Sequence, residues 1–499
     1  MINLIACVTN YKNKLAIGQN NDLLFKLKGD MTFFRKITTG SLSSASKLNR
    51  NIVLMGRKTY DSLPENYRPL KDRINIVLTR NKELIKKSPV PENLLLTKDL
   101  YFTDEFTFEK IYKKYNPNVF IIGGSELYNK FLGRADKLYL TVVEAKLNVI
   151  PDAFMDYPDS RYLLVSFSEK FVETSSNSNT QTISYRILYY QNKTGNTTGN
   201  TTDEYEYLNL ANRILNKGNT RSDRTGTGTV SIFGNQMRFD ISKTIPLLTT
   251  KRVPFVMTVE ELLWFCRGDT DATILQKKGI KIWDGNTSRE FLDNRGLKHY
   301  PEGTIGPQYG FLWRFFGADY SPEFRDTSKI DMSSVGGFDQ LKNVEHLLKT
   351  DPFSRRIMIS AWNPSQLHEQ ALPSCHVLIQ FYVEEINKEK YLSCQFYMRS
   401  NDLFLGNPVN IASYSILTCI LAKKCGMKPK ELIYTCGDTH IYANHLKQIQ
   451  EQINRIPRPF PKLHLSKAVE TKDWKDLSIE DFELIGYFPH PTIKGTMAI

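Results

Sequence analysis

Leu372-Pro373-Ser374-Cys375-His376-Val377-Leu378-Ile379-Gln380-Phe381-Tyr382-Val383 sets a cysteine and a histidine just after a Pro-Ser corner. The apolar run that follows, rich in Val, Ile, Phe and Tyr, reads as a buried strand. Cys375 therefore stands where a loop enters a strand, a place from which a thiol can face a pocket. Arg355 and Arg356 precede it in Asp351-Pro352-Phe353-Ser354-Arg355-Arg356, and Arg399 and Ser400 follow in Arg399-Ser400-Asn401-Asp402. Arginines near a thiol lower its pKa and favour the nucleophilic thiolate. They also hold phosphate in a bidentate fork. A free cysteine is most often a small buried hydrophobe, so the reading of Cys375 as a nucleophile rests on the rest of the chain.

Around this stretch, residues 204–217, 256–266 and 338–349 read as helices, the second ending at Gly268. Residues 230–239, 357–361, 377–383 and 391–398 read as strands, and 410–425 as a buried helix. Long strands mixed with helices, without regular alternation, predict an α+β domain. The Gly, Pro and aromatic content of residues 299–325 predicts a functional loop. Ser222-Asp223-Arg224-Thr225-Gly226-Thr227-Gly228-Thr229 is a candidate phosphate loop. Glu261 lies among apolar neighbours on a helix, where burial raises a carboxyl pKa toward general-acid use. Glu260 beside it reads as an exposed acid of an amphipathic helix. Two further polar clusters are Asn401-Asp402 through Asn410 and Gly437-Asp438-Thr439-His440-Ile441-Tyr442.

Asn192-Lys193-Thr194-Gly195-Asn196-Thr197-Thr198-Gly199-Asn200-Thr201-Thr202-Asp203 contains no apolar residue and cannot pack, so residues 192–203 are expected to be a linker. Before it, in residues 1–191, short apolar strands alternate with helices, which predicts an α/β domain with a mainly parallel sheet. Residues 161–168 and 182–190 are expected to close the sheet as an antiparallel pair. Asp30, in Lys28-Gly29-Asp30-Met31, reads most simply as a helix N-cap. Ile122-Gly123-Gly124-Ser125 reads as strand, Gly-Gly and helix start, where bare backbone and free N–H groups suit a phosphate. Arg57, Lys58 and Thr59 just past a strand suit the same charge.

The chain has 499 residues, 41% of them hydrophobic, which predicts two to four globular domains. The net charge of +13 suits anionic partners. No nucleic-acid recognition motif accompanies it, so surface lysine is the simpler source. The seven cysteines are irregularly spaced with no Cys-x-x-Cys pair, so neither a disulfide framework nor a zinc site is expected. The N-terminus has no signal-peptide pattern and no run reaches membrane-spanning length, which predicts a cytoplasmic protein.

Taken in order, Ile17-Gly18, Asp30, Gly56-Arg57-Lys58-Thr59, Arg68-Pro69-Leu70 through Arg73, Ile122-Gly123-Gly124 and Tyr139-Leu140-Thr141 resemble dihydrofolate reductase. That resemblance implies that Asp30 is the sole acid of a pterin pocket, bonding the 2-amino and N3 groups and favouring protonation at N5, while NADPH supplies a hydride to C6. It implies that Ala6, Cys7, Phe34 and Ile122 line the pterin, Thr141 shares the Asp30 network, and Arg73 holds a folate carboxylate. Gly18, Arg57, Lys58, Thr59, Thr79, Arg80, Gly123, Gly124, Ser125, Glu126 and Tyr128 are then the NADPH side. The family usually has Pro, Trp and Trp where this chain has Leu24, Phe25 and Tyr60.

The motifs of the second half, in the same order, look like thymidylate synthase over residues 204–499. The resemblance implies that Cys375 adds to C6 of dUMP, that Glu261 relays protons, and that Asn410 fixes the uracil. Arg224, Arg399 and Ser400 hold the phosphate, joined by Arg355 and Arg356 from a partner subunit. His440 and Tyr442 bond the ribose hydroxyl, and His376 lies behind the site. Asp402, Trp283, Asn286 and Tyr309 form the folate side, and Pro491-Thr492-Ile493-Lys494 resembles the C-terminal flap. Met398 stands where Gln is common, and Val409 where Phe is common. The whole chain thus resembles the bifunctional family of protists: an α/β reductase domain with a mixed, mainly parallel sheet and flanking helices, joined to an α+β synthase domain. The implied small molecules are dUMP, dihydrofolate, NADPH and 5,10-methylenetetrahydrofolate. The implied partner is a second copy of the chain through the synthase domains, with no metal, membrane or nucleic acid.

Overall fold

The computed structural model describes residues 1–39, 50–91, 96, 98–174, 182–193, 202–330 and 335–497. It divides into two compact units, Met1–Asn200 and Thr201–Ile499. Of the expected linker, residues 194–201 lie outside the described residues. Asn192 belongs to the last strand of the first unit, paired with Tyr162, and its side-chain amide donates to the Ala135 carbonyl.

The first unit is a sheet ordered Tyr162–Phe167, Thr182–Asn192, Lys137–Glu144, Ile2–Tyr11, Val119–Gly123, Ile52–Gly56, Ile74–Leu78 and Leu100–Thr103. The six from Lys137–Glu144 onward run parallel, and Thr182–Asn192 is antiparallel to both its neighbours. The central strands are apolar without a break because helices cover both faces: Ile52 to Met55 are all buried. The expected closing pair is present, as Tyr162–Phe167 against Thr182–Asn192. Side strands Lys14–Gln19 and Phe171–Thr174 extend the sheet at two places.

The second unit is built on a six-stranded sheet ordered Asn219–Arg221, Thr229–Asp240, Lys428–Tyr442, Glu389–Asp402, His376–Ile386 and Met358–Ser360. Only Glu389–Asp402 and Lys428–Tyr442 run parallel. One face packs on the helices Phe255–Arg267 and Gly406–Lys424. The latter is buried nearly all round and carries no amphipathic pattern, as an interior helix should. The first of these helices ends on Gly268 at φ 87°, which spares the Cβ clash of a left-handed cap. Residues 299–325 differ from the expected loop. They hold the helix Gly310–Phe315, all of it buried, and Phe311, Leu312, Phe315, Ala318 and Phe324 form a satellite core. Their aromatic content is packing as much as binding. Among the described residues no helix is long and apolar enough to cross a membrane.

Candidate active sites

In the first unit the site forms along the ends of the central strands. Asp30 does not cap its helix: the helix is Lys28–Thr39, and the carboxylate accepts the Thr141 hydroxyl at 2.5 Å. Asp30 is only 7% exposed. Burial raises its pKa, the Thr141 hydrogen bond lowers it, and the charge of Glu173 raises it further. Cys7 pairs with Thr141 across neighbouring strands, and its thiol is pushed up by burial and then by Asp30. Ala6 is buried, while Phe34 and Ile122 edge the same apolar cluster. Phe25 is buried beside Leu24 and Cys7, so its place in the core asks for a ring and not for a polar donor.

Arg73 is 5% exposed, donates to the Thr38 hydroxyl at 2.8 Å and to the Lys71 carbonyl at 3.0 Å, and lies 5.6 Å from the Phe34 ring. These contacts hold the guanidinium rigid beside the pterin-side residues. Thr79 is likewise structural in part, its Oγ1 accepting the Asn81 N–H at 3.1 Å.

A Cβ on Gly123 would sit 2.9 Å from Thr59 Cγ2, and one on Gly124 3.2 Å from Thr59 Oγ1. Only bare backbone fits there. The helix Ser125–Leu132 opens on Gly124 with no side-chain cap, so its first N–H groups stay open to an anion. Exposed Lys58 and Arg80 make no ion pair among the described residues, while Arg57 reaches Asp61 at 3.3 Å. This donor set fits the phosphates of NADPH. Gly18 is buried and Glu126 exposed. Ser125 Oγ accepts the Phe154 N–H, and the Tyr128 hydroxyl donates to the Ile5 carbonyl at 2.8 Å. Those two side chains thus brace the site more than they offer free donors.

In the second unit the Cys375 N–H donates to the Tyr309 hydroxyl at 3.1 Å. Tyr309 holds this place with φ 38°, at the head of the short helix Gly310–Phe315. Arg399 donates to the Ser374 carbonyl at 2.9 Å and the Pro373 carbonyl at 2.8 Å, and its guanidinium is 3.9 Å from Cys375 Sγ. Burial raises the thiol pKa and Arg399 only partly offsets this. The expected net lowering by arginines is therefore corrected: a single arginine does not outweigh burial. Arg355 and Arg356 are exposed and have no ion pair among the described residues.

Glu261 accepts the Trp283 indole N–H at 3.0 Å, and burial pushes its carboxyl up to about 7. Glu260 is corrected from exposed to buried; it pairs with Lys278 at 2.5 Å. Trp283 and Tyr309 rings lie 5.8 Å apart, and Asn286 is buried one turn on. His376 is buried against Tyr309, bonds the Tyr414 hydroxyl at 2.8 Å, and is pushed down to about 4 by burial, so it is neutral. Asn410 donates to Met398 Sδ at 3.2 Å.

The candidate phosphate loop turns its backbone inward: Asp223 accepts the N–H groups of Thr225 and Gly228 at 2.8 and 2.7 Å. What it offers outward is the exposed Arg224 side chain, which makes no ion pair among the described residues. His440 Nδ1 lies 2.9 Å from Asp438, opposite half-buried Ser400 in the sheet register. Tyr442, its ring 5.0 Å from that of His440, is raised to about 12, by burial first and then by Asp402, with Arg224 opposing. Asp402 accepts the N–H groups of Phe404 and Leu405, shaping the entry to the buried helix. Tyr309, Arg399 and Tyr442, from three separate stretches of sequence, thus come close to Cys375.

Lys251 was not singled out by sequence. It is 6% exposed, lies over the Phe404 ring, donates to the Phe404 carbonyl, and is lowered by burial to about 7, with Asp402 opposing. Only its place in Thr249-Thr250-Lys251-Arg252, directly after an apolar run, hinted at burial. Gln308 and Ser374, on either side of the Tyr309–Cys375 bond, are fully buried, with the Gln308 amide and the Ser374 hydroxyl unpartnered among the described residues.

Two folate-handling enzyme domains account for both sites. Residues 1–192 match the family model of dihydrofolate reductase, and residues 205–499 that of thymidylate synthase. The chain is 40% identical to a bifunctional dihydrofolate reductase-thymidylate synthase of Zea mays, covering 97% of this chain and 95% of that one. It is 40% identical to that of Paramecium tetraurelia, covering 97% and 96%, and 38% identical to that of Leishmania major, covering 97% and 93%. The chain belongs to the bifunctional dihydrofolate reductase–thymidylate synthase family. It forms dTMP from dUMP with 5,10-methylenetetrahydrofolate and reduces dihydrofolate to tetrahydrofolate with NADPH.

Proposed function

We propose the following division of labour among the residues of the two sites. Cys375 is the nucleophile whose thiolate adds to C6 of dUMP, making C5 able to take the methylene group. C5 then gives up its proton and the folate–methylene bond breaks; the methylene receives a hydride from the tetrahydrofolate while the Cys375–C6 bond breaks to return the thiolate, and dihydrofolate leaves. Glu261, poised near neutrality, moves the protons, and Asn410 holds the uracil edge. Arg224, Arg399 and Ser400 take the phosphate, His440 and Tyr442 the ribose, and Asp402, Trp283, Asn286 and Tyr309 the folate. The observation that carries this reading is Cys375 anchored by its backbone N–H on the Tyr309 hydroxyl, with its thiol 3.9 Å from the Arg399 guanidinium.

In the reductase unit Asp30 orients the pterin and favours protonation at N5, with Thr141 behind it and Arg73 on the folate carboxylate. Bound NADPH supplies the hydride. Lys58, Arg57, Thr59 and Arg80, with the Gly123-Gly124 turn, hold its phosphates. Assaying dTMP formation and NADPH oxidation separately tests both assignments. Cys375→Ala should abolish the first and spare the second, and Asp30→Asn the reverse.

The synthase unit acts as a homodimer. Phe233, Phe353, Met358 and Tyr382 are exposed on or beside the sheet, at 83%, 57%, 38% and 64%, an apolar load that calls for a cover. Arg355 and Arg356, unpaired in one chain, then complete the phosphate site of the partner. Mixing Arg355→Ala chains with Cys375→Ala chains should restore about a quarter of wild-type dTMP synthesis, because half the dimers carry one intact site. No recovery on mixing, with each variant folded, would sink the shared site. The linker is proposed to begin after Asn192, the last residue of a strand, and to run to Asp203, and the protein works in the cytoplasm.

A further inference from the structure

Beside the reductase site runs the short strand Phe171–Thr174, paired to Thr182–Asn192 with Phe171 opposite Tyr185 and Glu173 opposite Ile183. Phe171 and Tyr185 rings stack at 5.2 Å. The Glu173 carboxylate accepts the Gly29 N–H at 3.3 Å and the Tyr185 hydroxyl. Gly29 immediately precedes Asp30. A Cβ on Gly29 would overlap the Tyr185 hydroxyl, with Glu173 Oε1 at 3.7 Å, so this corner is closed by bare backbone against the pair. Glu173 has no cation partner among the described residues, whereas nearby Glu144 is paired with Lys170 at 2.7 Å.

We propose that Glu173 is a positioning residue for dihydrofolate reduction: through Gly29 and Tyr185 it pins the start of the helix that carries Asp30 and sets a negative charge beside that carboxyl. The proposal rests on Asp30 being the acid of that site.

The surroundings leave Glu173 as the charged neighbour that matters. Asp30 is faced by Cys7 from Ile2–Tyr11, Tyr128 from Ser125–Leu132, Tyr185 from Thr182–Asn192 and Glu173 from Phe171–Thr174. None of these is a cation. The thiol and both phenols are raised by burial and stay neutral near pH 7. A carboxylate at this distance acts through a partly solvated path, so its influence is moderate and salt-sensitive. Burial remains the larger cause of the raised Asp30 pKa, and Glu173 adds to it.

Glu173→Gln tests this in the full chain, since an amide oxygen still accepts both hydrogen bonds while the charge is gone. The readout is the pH at which the rate of dihydrofolate reduction falls to half on raising pH. In the variant this midpoint should drop by a few tenths of a pH unit at low salt. In wild type it should move down toward the variant's as salt rises to about 0.5 M, while the variant barely responds. Coincident low-salt profiles, or equal salt responses, would overturn the proposal. So would a fall in rate or melting temperature with no change of midpoint, which is the mark of a purely structural residue. Asp30→Asn separates the two claims. If it is inactive while the Glu173→Gln and wild-type profiles coincide, only the role of Glu173 falls. If it keeps wild-type rate and profile, the Asp30 assignment falls and takes the proposal with it.

Discussion

The hydroxyl of Tyr309 accepts the backbone N–H of Cys375, 66 residues away in sequence, at 3.1 Å. The bond fixes the nucleophile from behind and leaves its thiol facing Arg399. Tyr309→Phe keeps the ring against Trp283 and His376 but strands a buried N–H. dTMP synthesis should fall by about tenfold or more, with a loss of about 1–2 kcal/mol of stability. Dihydrofolate reduction should be unaffected. Denaturant melts and the two separate assays check this, and an unchanged dTMP rate would show that the bond does not place the thiol.

Glu261 titrates at about 7 in the folded chain against 4.5 for the free side chain, because burial disfavours its charge. The folded state therefore binds the proton more tightly than the unfolded state. Its contribution to stability is complete below about pH 4.5 and is lost as pH rises through 7, by up to about 3 kcal/mol. Glu261→Gln should flatten the stability profile across that window. It should also remove a titration near neutrality from the dTMP rate profile. Melting curves from pH 5 to 8 measure the first effect.

Thr141 donates to Asp30 and favours its ionised form. Thr141→Val removes the donor at nearly the same volume, so Asp30 should take its proton at still higher pH. The alkaline fall of dihydrofolate reduction should shift upward, opposite in sign to the effect of Glu173→Gln. A downward shift would contradict the assigned direction of that hydrogen bond.

Glu204 is fully buried, makes no ion pair among the described residues, and accepts the N–H and hydroxyl of both Thr249 and Thr250. It ties the first turn of its helix to the turn that carries Lys251. Glu204→Ala leaves three donors without an acceptor and the Thr249 hydroxyl with only the Arg458 carbonyl at 3.4 Å, and should cost about 3–5 kcal/mol. The synthase unit should melt earlier by many degrees, as calorimetry would record.

Met398 offers Asn410 a thioether, which accepts but cannot donate. The Tyr434 hydroxyl reaches the same sulfur at 2.6 Å and the Asn401 amide oxygen at 3.0 Å. An amide is thus retained in this corner, on Asn401, three residues after the position where glutamine is common. Met398→Leu keeps the volume and removes the acceptor. The KM for dUMP should rise several-fold with little change in melting temperature, and an unchanged KM would show that Asn410 is oriented by other groups.

Much of this protein was legible in one dimension. Apolar runs and period-3.6 patterns located many strands and helices of both units, but the long strand Lys428–Tyr442 went unread because its polar end, Gly437 to Tyr442, masks it. Cys375, Asp30 and Glu261 stood out because their neighbours formed family motifs. What sequence misjudged were quantities set by packing from afar. Glu260 looked exposed until Lys278 came back against it, and residues 299–325 looked like a free loop until their aromatics packed into a core. Asp30 reads as a cap from its neighbours alone, whereas the family resemblance pairs it with Thr141, 111 residues on, and that bond is present. Glu173 carried no local mark, and Lys251 only its place after an apolar run.

The opening stretch shows the division most plainly. Sequence alone determined that Cys375 ends a loop and begins a strand, that arginines flank it, and to which family the pattern is similar. Only the tertiary structure decided its charge balance: burial raises the thiol, and among the described residues Arg399 is the cation that reaches it. The reason is physical. Local pattern reports which face of an element is buried, whereas the pKa of a group depends on desolvation and on charges brought within a few ångströms by folding, wherever they lie in the chain.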